Sequence, residues 1–342
     1  MSGVEQVAVG QDEPEQRLDR WFRKRFPHVG QGRIEKLCRK GEIRVDGGRV
    51  KPSSRIAPGQ VVRVPPLPEG PAPAAAAEAP AGPTEAEARA IRDAVLYRDD
   101  ALIVLNKPAG LAVQGGSGQA RHLGTLLPAL RFGRDDDPRL VHRLDRDTSG
   151  ALVLARTPRA ATGLTRLFRT RDVEKTYFAV VAGKPDPPAG TVRSGLVKAG
   201  GRAEKMELLP PGEVAEHAGA RHAVTDYRVI EQAGPRAAWV ALRPVTGRTH
   251  QLRAHMAAIG SPVAGDGKYG GRGQENRGDG WGASLGGSLS RKLHLHAARL
   301  AFPHPETKRR LVVNAPLPEH MARTFAFMGW TPDLIPEPLF ED

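Results

Sequence analysis

Val141-His142-Arg143-Leu144-Asp145-Arg146-Asp147-Thr148-Ser149-Gly150 runs straight into the apolar stretch Ala151-Leu152-Val153-Leu154-Ala155. A short apolar run behind turn-forming residues reads as a core strand. A loop that enters a core strand is a rigid platform, on which a polar side chain can be held accurately. Asp145 lies between Arg143 and Arg146, whose charges favour a carboxylate and attract phosphates. Thr148, Ser149 and Gly150 carry turn chemistry: hydroxyls that bond the backbone, then a residue free to take positive φ. These residues alone leave two readings open, a structural Asp–Arg turn and a carboxylate placed for chemistry.

Outward from this loop, strand-like and helix-like segments alternate from about residue 94 onward. Apolar strands are expected at 102–105, 151–155, 177–181, 224–230 and 239–245. Thr157-Pro158 supplies an N-cap and first-turn proline for a helix carrying Leu164, Leu167 and Phe168. A second amphipathic helix holds Leu252, His255, Met256 and Ile259. Many β segments and few helices predict an α+β fold with a mixed, mostly antiparallel sheet rather than a doubly wound one. Residues 270–290 hold 8 glycines in 21 positions and read as a mobile loop.

Four further clusters carry polar groups in ordered settings. Gly247-Arg248-Thr249-His250-Gln251-Leu252-Arg253-Ala254-His255 opens the second helix, with Arg248 and His250 expected in its first turn, where backbone donors favour anions. A solvated basic helix face explains that cluster equally well. His250 and His255 are five apart, off a common face, which argues against a metal pair. Lys175-Thr176-Tyr177-Phe178-Ala179-Val180-Val181-Ala182-Gly183 opens a strand on which Tyr177 reads most simply as half-buried core. Asn106-Lys107-Pro108-Ala109-Gly110 and Gly265-Asp266-Gly267-Lys268-Tyr269-Gly270 read as a tight connection and a loop. Phosphate-loop, dinucleotide and nucleophile-elbow patterns are missing, so no cofactor, nucleotide or metal is expected.

The amino-terminal part is different in kind. Between residues 17 and 63 there are 14 Lys/Arg against 4 Asp/Glu, a net of +10 within a chain total of +13. Leu18, Trp21, Phe22 and Phe26 mark one amphipathic helix, and Ile34, Leu37 and Cys38 a second. Asp46-Gly47-Gly48 signals a hairpin. A small α-α-β module with a basic face is expected over residues 14–64, followed by an Ala/Pro-rich linker over 65–93 and a large domain over 94–330. Residues 65–83 contain 7 prolines and no Lys or Arg, a composition that cannot build a core.

Such a positive balance points to a polyanionic partner, nucleic acid or an acidic membrane surface. The single cysteine, Cys38, excludes an internal disulfide and a cysteine-based zinc site. No signal peptide and no run of 18 apolar residues is visible, so a cytoplasmic chain without a membrane partner is expected.

Taken together, the clusters resemble the RluA family of pseudouridine synthases. His142 to Gly150 match its H-R-L-D-x-x-[ST]-[SG]-G loop, and the N-K-P-x-G turn, K-x-Y strand, G-R-x-H-Q-[LI]-R-x-H helix and G-D-x-x-Y-G segment occur in that family's order. The basic module, above all Arg39-Lys40-Gly41-Glu42-Ile43-Arg44-Val45, resembles the S-four RNA-binding module. That pairing resembles the RluC-like subtype, which implies large-subunit ribosomal RNA as partner, a monomer and a cofactor-free reaction. By position, the resemblance makes Asp145 the essential aspartate, Tyr177 the active-site tyrosine and Arg253 the ion-pair partner of Asp145. Arg143 would fill the gap left by an extruded uridine. His142, Arg248 and His250, with Arg39, Lys40 and Arg44 of the module, would face RNA. Gln114 stands where many members carry histidine. The implied reaction breaks a carbon–nitrogen glycosidic bond, turns the uracil and rejoins it through carbon. A carboxylate can serve it as nucleophile at the anomeric carbon or as base on the neighbouring ribose carbon.

Two other classes compete on the residues alone. A non-catalytic RNA-binding protein would account for the basic module but not for the ordered motifs after residue 95. A metal-dependent nuclease built on Asp145, Asp147 and Asp135-Asp136-Asp137 would be separated by its sensitivity to chelators.

Overall fold

Strand alternation sets the architecture, because several strands are apolar on both faces and must be covered twice. The computed structural model describes residues 3–67, 82–115, 121–200, 205–270, 289–332 and 339–340. The chain divides into two units, residues 1–81 and 82–342.

In the first unit, β1 (Glu5–Ala8), β2 (Gln16–Arg17), α1 (Leu18–Arg25), α2 (Gln31–Lys40), β3 (Arg44–Val45), β4 (Gly48–Arg49), β5 (Arg55–Ile56) and β6 (Val61–Val64) follow in order. One sheet runs β1-β6-β3-β4, and β2 pairs with β5. Leu18, Trp21, Phe22, Ile34, Leu37 and Val62 form its own core. Asp46 and Gly47, both at positive φ, make the expected hairpin turn between β3 and β4. This unit starts earlier than residue 14, since β1 pairs with β6 along its length. The single apolar alternation in Glu5-Gln6-Val7-Ala8 is too weak to mark a strand by itself.

The second unit opens with α3 (Glu85–Asp93), inside the expected linker. Thr84 and Glu87 form a reciprocal capping box, and Ala88 and Ile91 are buried in the unit's core. Residues 68–81 of that linker lie outside the described residues. Then come β7 (Val95–Arg98), β8 (Leu102–Lys107), the short α4 (Leu123–Leu126), β9 (Arg139–Leu140), β10 (Ser149–Ala155) and α5 (Pro158–Thr170). They are followed by β11 (Glu174–Ala182), β12 (Ala189–Lys198), β13 (Met206–Leu209), β14 (Arg221–Ala233), β15 (Ala237–Pro244) and α6 (Gln251–Ala258). The described chain closes with β16 (Leu295–Pro303), β17 (Arg310–Asn314) and α7 (Glu319–Met328). The glycine-rich segment falls outside the description from 271 to 288.

The sheet runs β13-β12-β14-β15-β11-β16-β10-β8-β7, with β17 on β16 and β9 on β10. Every described pairing in it is antiparallel except β10 with β16, so the expected mixed, mostly antiparallel α+β fold is what the chain adopts. Odd and even residues divide between its faces. Ile103, Leu105, Leu152 and Leu154 pack with α3 and α4, while Leu102, Val104 and Val153 pack against Leu164 and Leu167 of α5. Further along, Ala179, Val240 and Leu242 meet Leu252 and Met256 of α6, and Phe178, Val180 and Trp239 meet Met321 and Phe325 of α7. That last core also takes in Leu339 and Phe340, so the unit extends past residue 330.

Two expectations for α6 change. Six successive residues, Gln251 to Met256, are buried, so it is an interior helix rather than an amphipathic surface one. His250 is not in its first turn but caps it, in the left-handed region at φ 52°. No described helix is long and apolar enough to cross a membrane.

Candidate active site

The loop from Val141 to Thr148 closes a gap in the sheet. Strand β9 pairs with the far end of β10 (Leu154 with Leu140), whereas β16 pairs with its start (Ser149 with His296, Gly150 with Ala297). Between these pairings the Val153 N–H has no strand partner on that side, and it donates to His142 Nε2 at 2.8 Å. The His142 ring also stacks on Phe168 at 4.0 Å, and burial pushes its pKa down to about 3, keeping it neutral. His142, expected to face RNA, lines the same cavity as Asp145, and its Nε2 also pins its own loop.

Other buried groups hold the same loop. His296 donates from Nε2 to the Ala315 carbonyl (3.0 Å), which leaves Nδ1 to accept from the Ser149 hydroxyl at 2.9 Å. Gly150 sits at φ 109°, and a Cβ there would stand 2.3 Å from the Ala297 carbonyl oxygen. The Lys107 ammonium, fully buried, donates to the carbonyls of Pro108, Leu111 and Arg146 at 2.8, 2.9 and 3.1 Å. Burial pushes its pKa down to about 7, while the charges of Asp147 and Asp145 oppose that shift. From sequence, Lys107 reads only as part of a tight connection. Three carbonyls satisfied by one buried cation make it the tether between the 106–110 turn and the Asp145 loop.

Asp145 itself faces a cavity of about 460 Å³ that is also lined by Arg143, Tyr177, Arg248, His250 and Arg253. The structure therefore gathers Asp145, Tyr177, Arg253, Arg143, Arg248 and His250 from separate stretches of sequence. The Asp145 carboxylate lies 3.8 Å from Arg253 Nη1 and 3.9 Å from His250 Nε2. Its sequence neighbour Arg146 turns away and pairs with Asp147 at 3.1 Å.

Arg253 has a tighter partner than the expected one. It forms a bidentate pair with Asp266 at 2.6 and 2.7 Å, and Asp145 occupies the longer contact. Asp266 also accepts from the Lys268 and Tyr269 amides, and the guanidinium lies 5.3 Å from the Tyr269 ring centroid. Burial is the largest single influence and disfavours the Arg253 charge, but the bond to Asp266 and the negative charges of Asp266 and Asp145 together outweigh it and raise the pKa. In the sequence Asp266 reads as a loop residue. Only its place in the G-D-x-x-Y-G segment signals it.

Tyr177, the fourth residue of β11, sits at an irregularity in the β11–β16 pairing. Burial pushes its phenol pKa up, and the Asp145 charge adds to this, so the hydroxyl stays protonated. Gln251 anchors the stretch before α6. Its side-chain oxygen accepts from the Thr246 hydroxyl and the Arg248 amide, and its NH₂ donates to the Val224 carbonyl and Thr225. Arg248 Nε donates to the His222 carbonyl at 3.1 Å. In the first unit Arg39 and Lys40 are exposed, Lys40 lying 3.5 Å from Glu42. Arg44 instead braces its own hairpin through the carbonyls of Gly41 and Gly47.

The braced Asp145 loop thus faces a cation-lined cavity on a mixed, mostly antiparallel sheet, and solved pseudouridylate synthase domains share this fold. The chain belongs to the RNA pseudouridylate synthase family, enzymes that isomerise uridine to pseudouridine in RNA, and that family's model matches residues 101–258. Relatives extend the match over both units. The chain is 37% identical over 330 residues to the ribosomal large subunit pseudouridine synthase C of Vibrio vulnificus, covering 94% of this chain and 95% of that one. With the protein of the same description from Escherichia coli K12 it shares 35% over 325 residues, 94% and 95% of the two chains. Among solved structures, human RNA pseudouridylate synthase domain containing 4 superposes with a TM-score of 0.57 at 30% identity, over 71% of this chain and 95% of that one.

Proposed function

We propose that this pseudouridine synthase acts on uridines of large-subunit ribosomal RNA, with Asp145 as its catalytic carboxylate and no cofactor. The observation that carries this reading is the Asp145 carboxylate facing a cation-lined cavity of about 460 Å³ beside Tyr177. The relatives named for the large ribosomal subunit, aligned across both units, support the choice of RNA.

The target uridine leaves its stack to reach this cavity, and Arg143 takes the space it vacates. Asp145 acts on the sugar, either bonding to the anomeric carbon or taking a proton from the neighbouring ribose carbon. Arg253, fixed by Asp266, holds a positive charge near that carboxylate through the reaction. Tyr177 packs on the freed base, and its hydroxyl moves a proton as the base rejoins the sugar through carbon. Arg248 and His250 meet the RNA at the cavity's edge. The first unit supplies phosphate contacts through exposed cations such as Arg39 and Lys40, which position without choosing sequence. The enzyme works as a cytoplasmic monomer.

Site-by-site pseudouridine mapping of ribosomal RNA from a deletion strain tests this. Loss of particular large-subunit pseudouridines, restored by the wild-type chain, is the expected result. An unchanged large-subunit map would reject the proposed target.

A further inference from the structure

One flank of the cavity carries charge that the roles above leave unused. Arg169, at the end of α5, Arg171, just beyond it, and Lys175 of β11 line the same cavity as Asp145 and Arg248. Among the described residues none of Arg171, Lys175 and Arg248 has a carboxylate within ion-pair range, although acidic residues stand beside them in sequence. Glu174 is spent on Arg310 at 2.8 Å, and Asp172 accepts from the Thr170 hydroxyl at 2.6 Å. The Arg248 side chain donates to the His222 carbonyl.

The backbone exposes this flank at a cost. Arg171 caps α5 in the left-handed region at φ 69°, its N–H bonding the Leu167 carbonyl. Glycine or asparagine takes that conformation with less strain. The cations also disfavour one another. The Lys175 pKa is lowered by burial and then by Arg171, and that of Arg248 by burial, then by Arg221 and Arg171. Like charges gathered beside one cavity, Arg171 and Arg248 exposed and Lys175 half-buried, are relieved by an anion seated among them.

We propose that Arg171 and Lys175, together with Arg248, bind a backbone phosphate of the RNA strand next to the nucleotide whose base enters the cavity. This rests on the RNA reading above and deepens it. A phosphodiester fits because it brings one negative charge and two free oxygens to a site with guanidinium and ammonium donors. Anchoring the neighbouring phosphate also fixes the sugar that Asp145 must reach, since the two are joined by a few single bonds.

The test uses the full chain carrying Arg171→Asn with Lys175→Gln, asparagine being chosen because it tolerates left-handed φ. Affinity for a large-subunit RNA transcript is measured across a salt series. The expected result is weaker binding, with the log–log salt slope flatter by about 0.7–0.9, the change for one phosphate that is no longer neutralised. A charge-matched control, Arg159→Gln with Lys184→Gln, removes two exposed cations outside the cavity and should leave the slope steeper than the double variant does. A neutral methylphosphonate at the linkage beside the modified uridine should weaken wild-type binding and leave the double variant unaffected. If the double variant does not fold, Lys175→Gln alone carries the same comparison. A slope equal to wild type, or an equal loss in the control, overturns the phosphate site. Wild-type chain that forms no pseudouridine in any ribosomal RNA would instead overturn the function on which the site rests.

Discussion

At the residue scale, the charge near Asp145 is set by a side chain far away in sequence. Arg253 is held by Asp266 through two short bonds and meets Asp145 only at 3.8 Å. Asp266→Ala would leave a buried guanidinium with one distant carboxylate, at a cost of about 3–5 kcal/mol in stability. Pseudouridine formation should fall with it, because Arg253 is then free to close on Asp145 and occupy the position the sugar needs. Urea unfolding and single-turnover rates read the two effects. A variant with wild-type stability and rate would show that Asp266 positions nothing. Asp145, Tyr177 and Arg253 are legible in sequence because each lies in an ordered motif. The anchoring by Asp266 and the tether by Lys107 are not, since both depend on what the fold brings alongside.

Among the elements, β10 is the one on which the site depends most. Its start is squeezed against β16 so closely that only glycine fits at position 150. Gly150→Ala must push the two strands apart or abandon φ 109°, and is expected to cost on the order of 3 kcal/mol. Thermal melting checks this, and an unshifted midpoint would contradict the β10–β16 register. Strands with apolar residues on both faces are readable from the sequence, as is the proline start of α5. Helix α3 is hidden because its alanines continue an Ala/Pro-rich stretch, although Thr84 and Glu87 spell a capping box. Helix α6 departs from its expected amphipathic character because its polar residues, Gln251, Arg253 and His255, are buried with partners that a helical period cannot reveal.

Over the whole molecule, buried neutral histidines make the second unit sensitive to acid. His255, His294 and His296 are fully buried, and burial pushes each to about 4. Their folded-state values lie below the unfolded value of about 6.5, so the unfolded chain binds more protons between these limits. Stability is therefore complete above about pH 6.5 and falls as pH drops toward 4, by up to about 1.4 kcal/mol per pH unit for each histidine. Urea midpoints that stay flat from about pH 7 to pH 4.5 would contradict this. The first unit contributes differently. Arg39→Gln with Lys40→Gln should weaken RNA binding and flatten its salt dependence, and an unchanged salt slope would place RNA docking elsewhere. The most direct test of the central claim compares the full chain with Asp145→Asn, mapping pseudouridine in large-subunit RNA in single turnover. The account predicts a folded variant that binds RNA and forms no detectable pseudouridine, whereas near-normal formation by Asp145→Asn would contradict it.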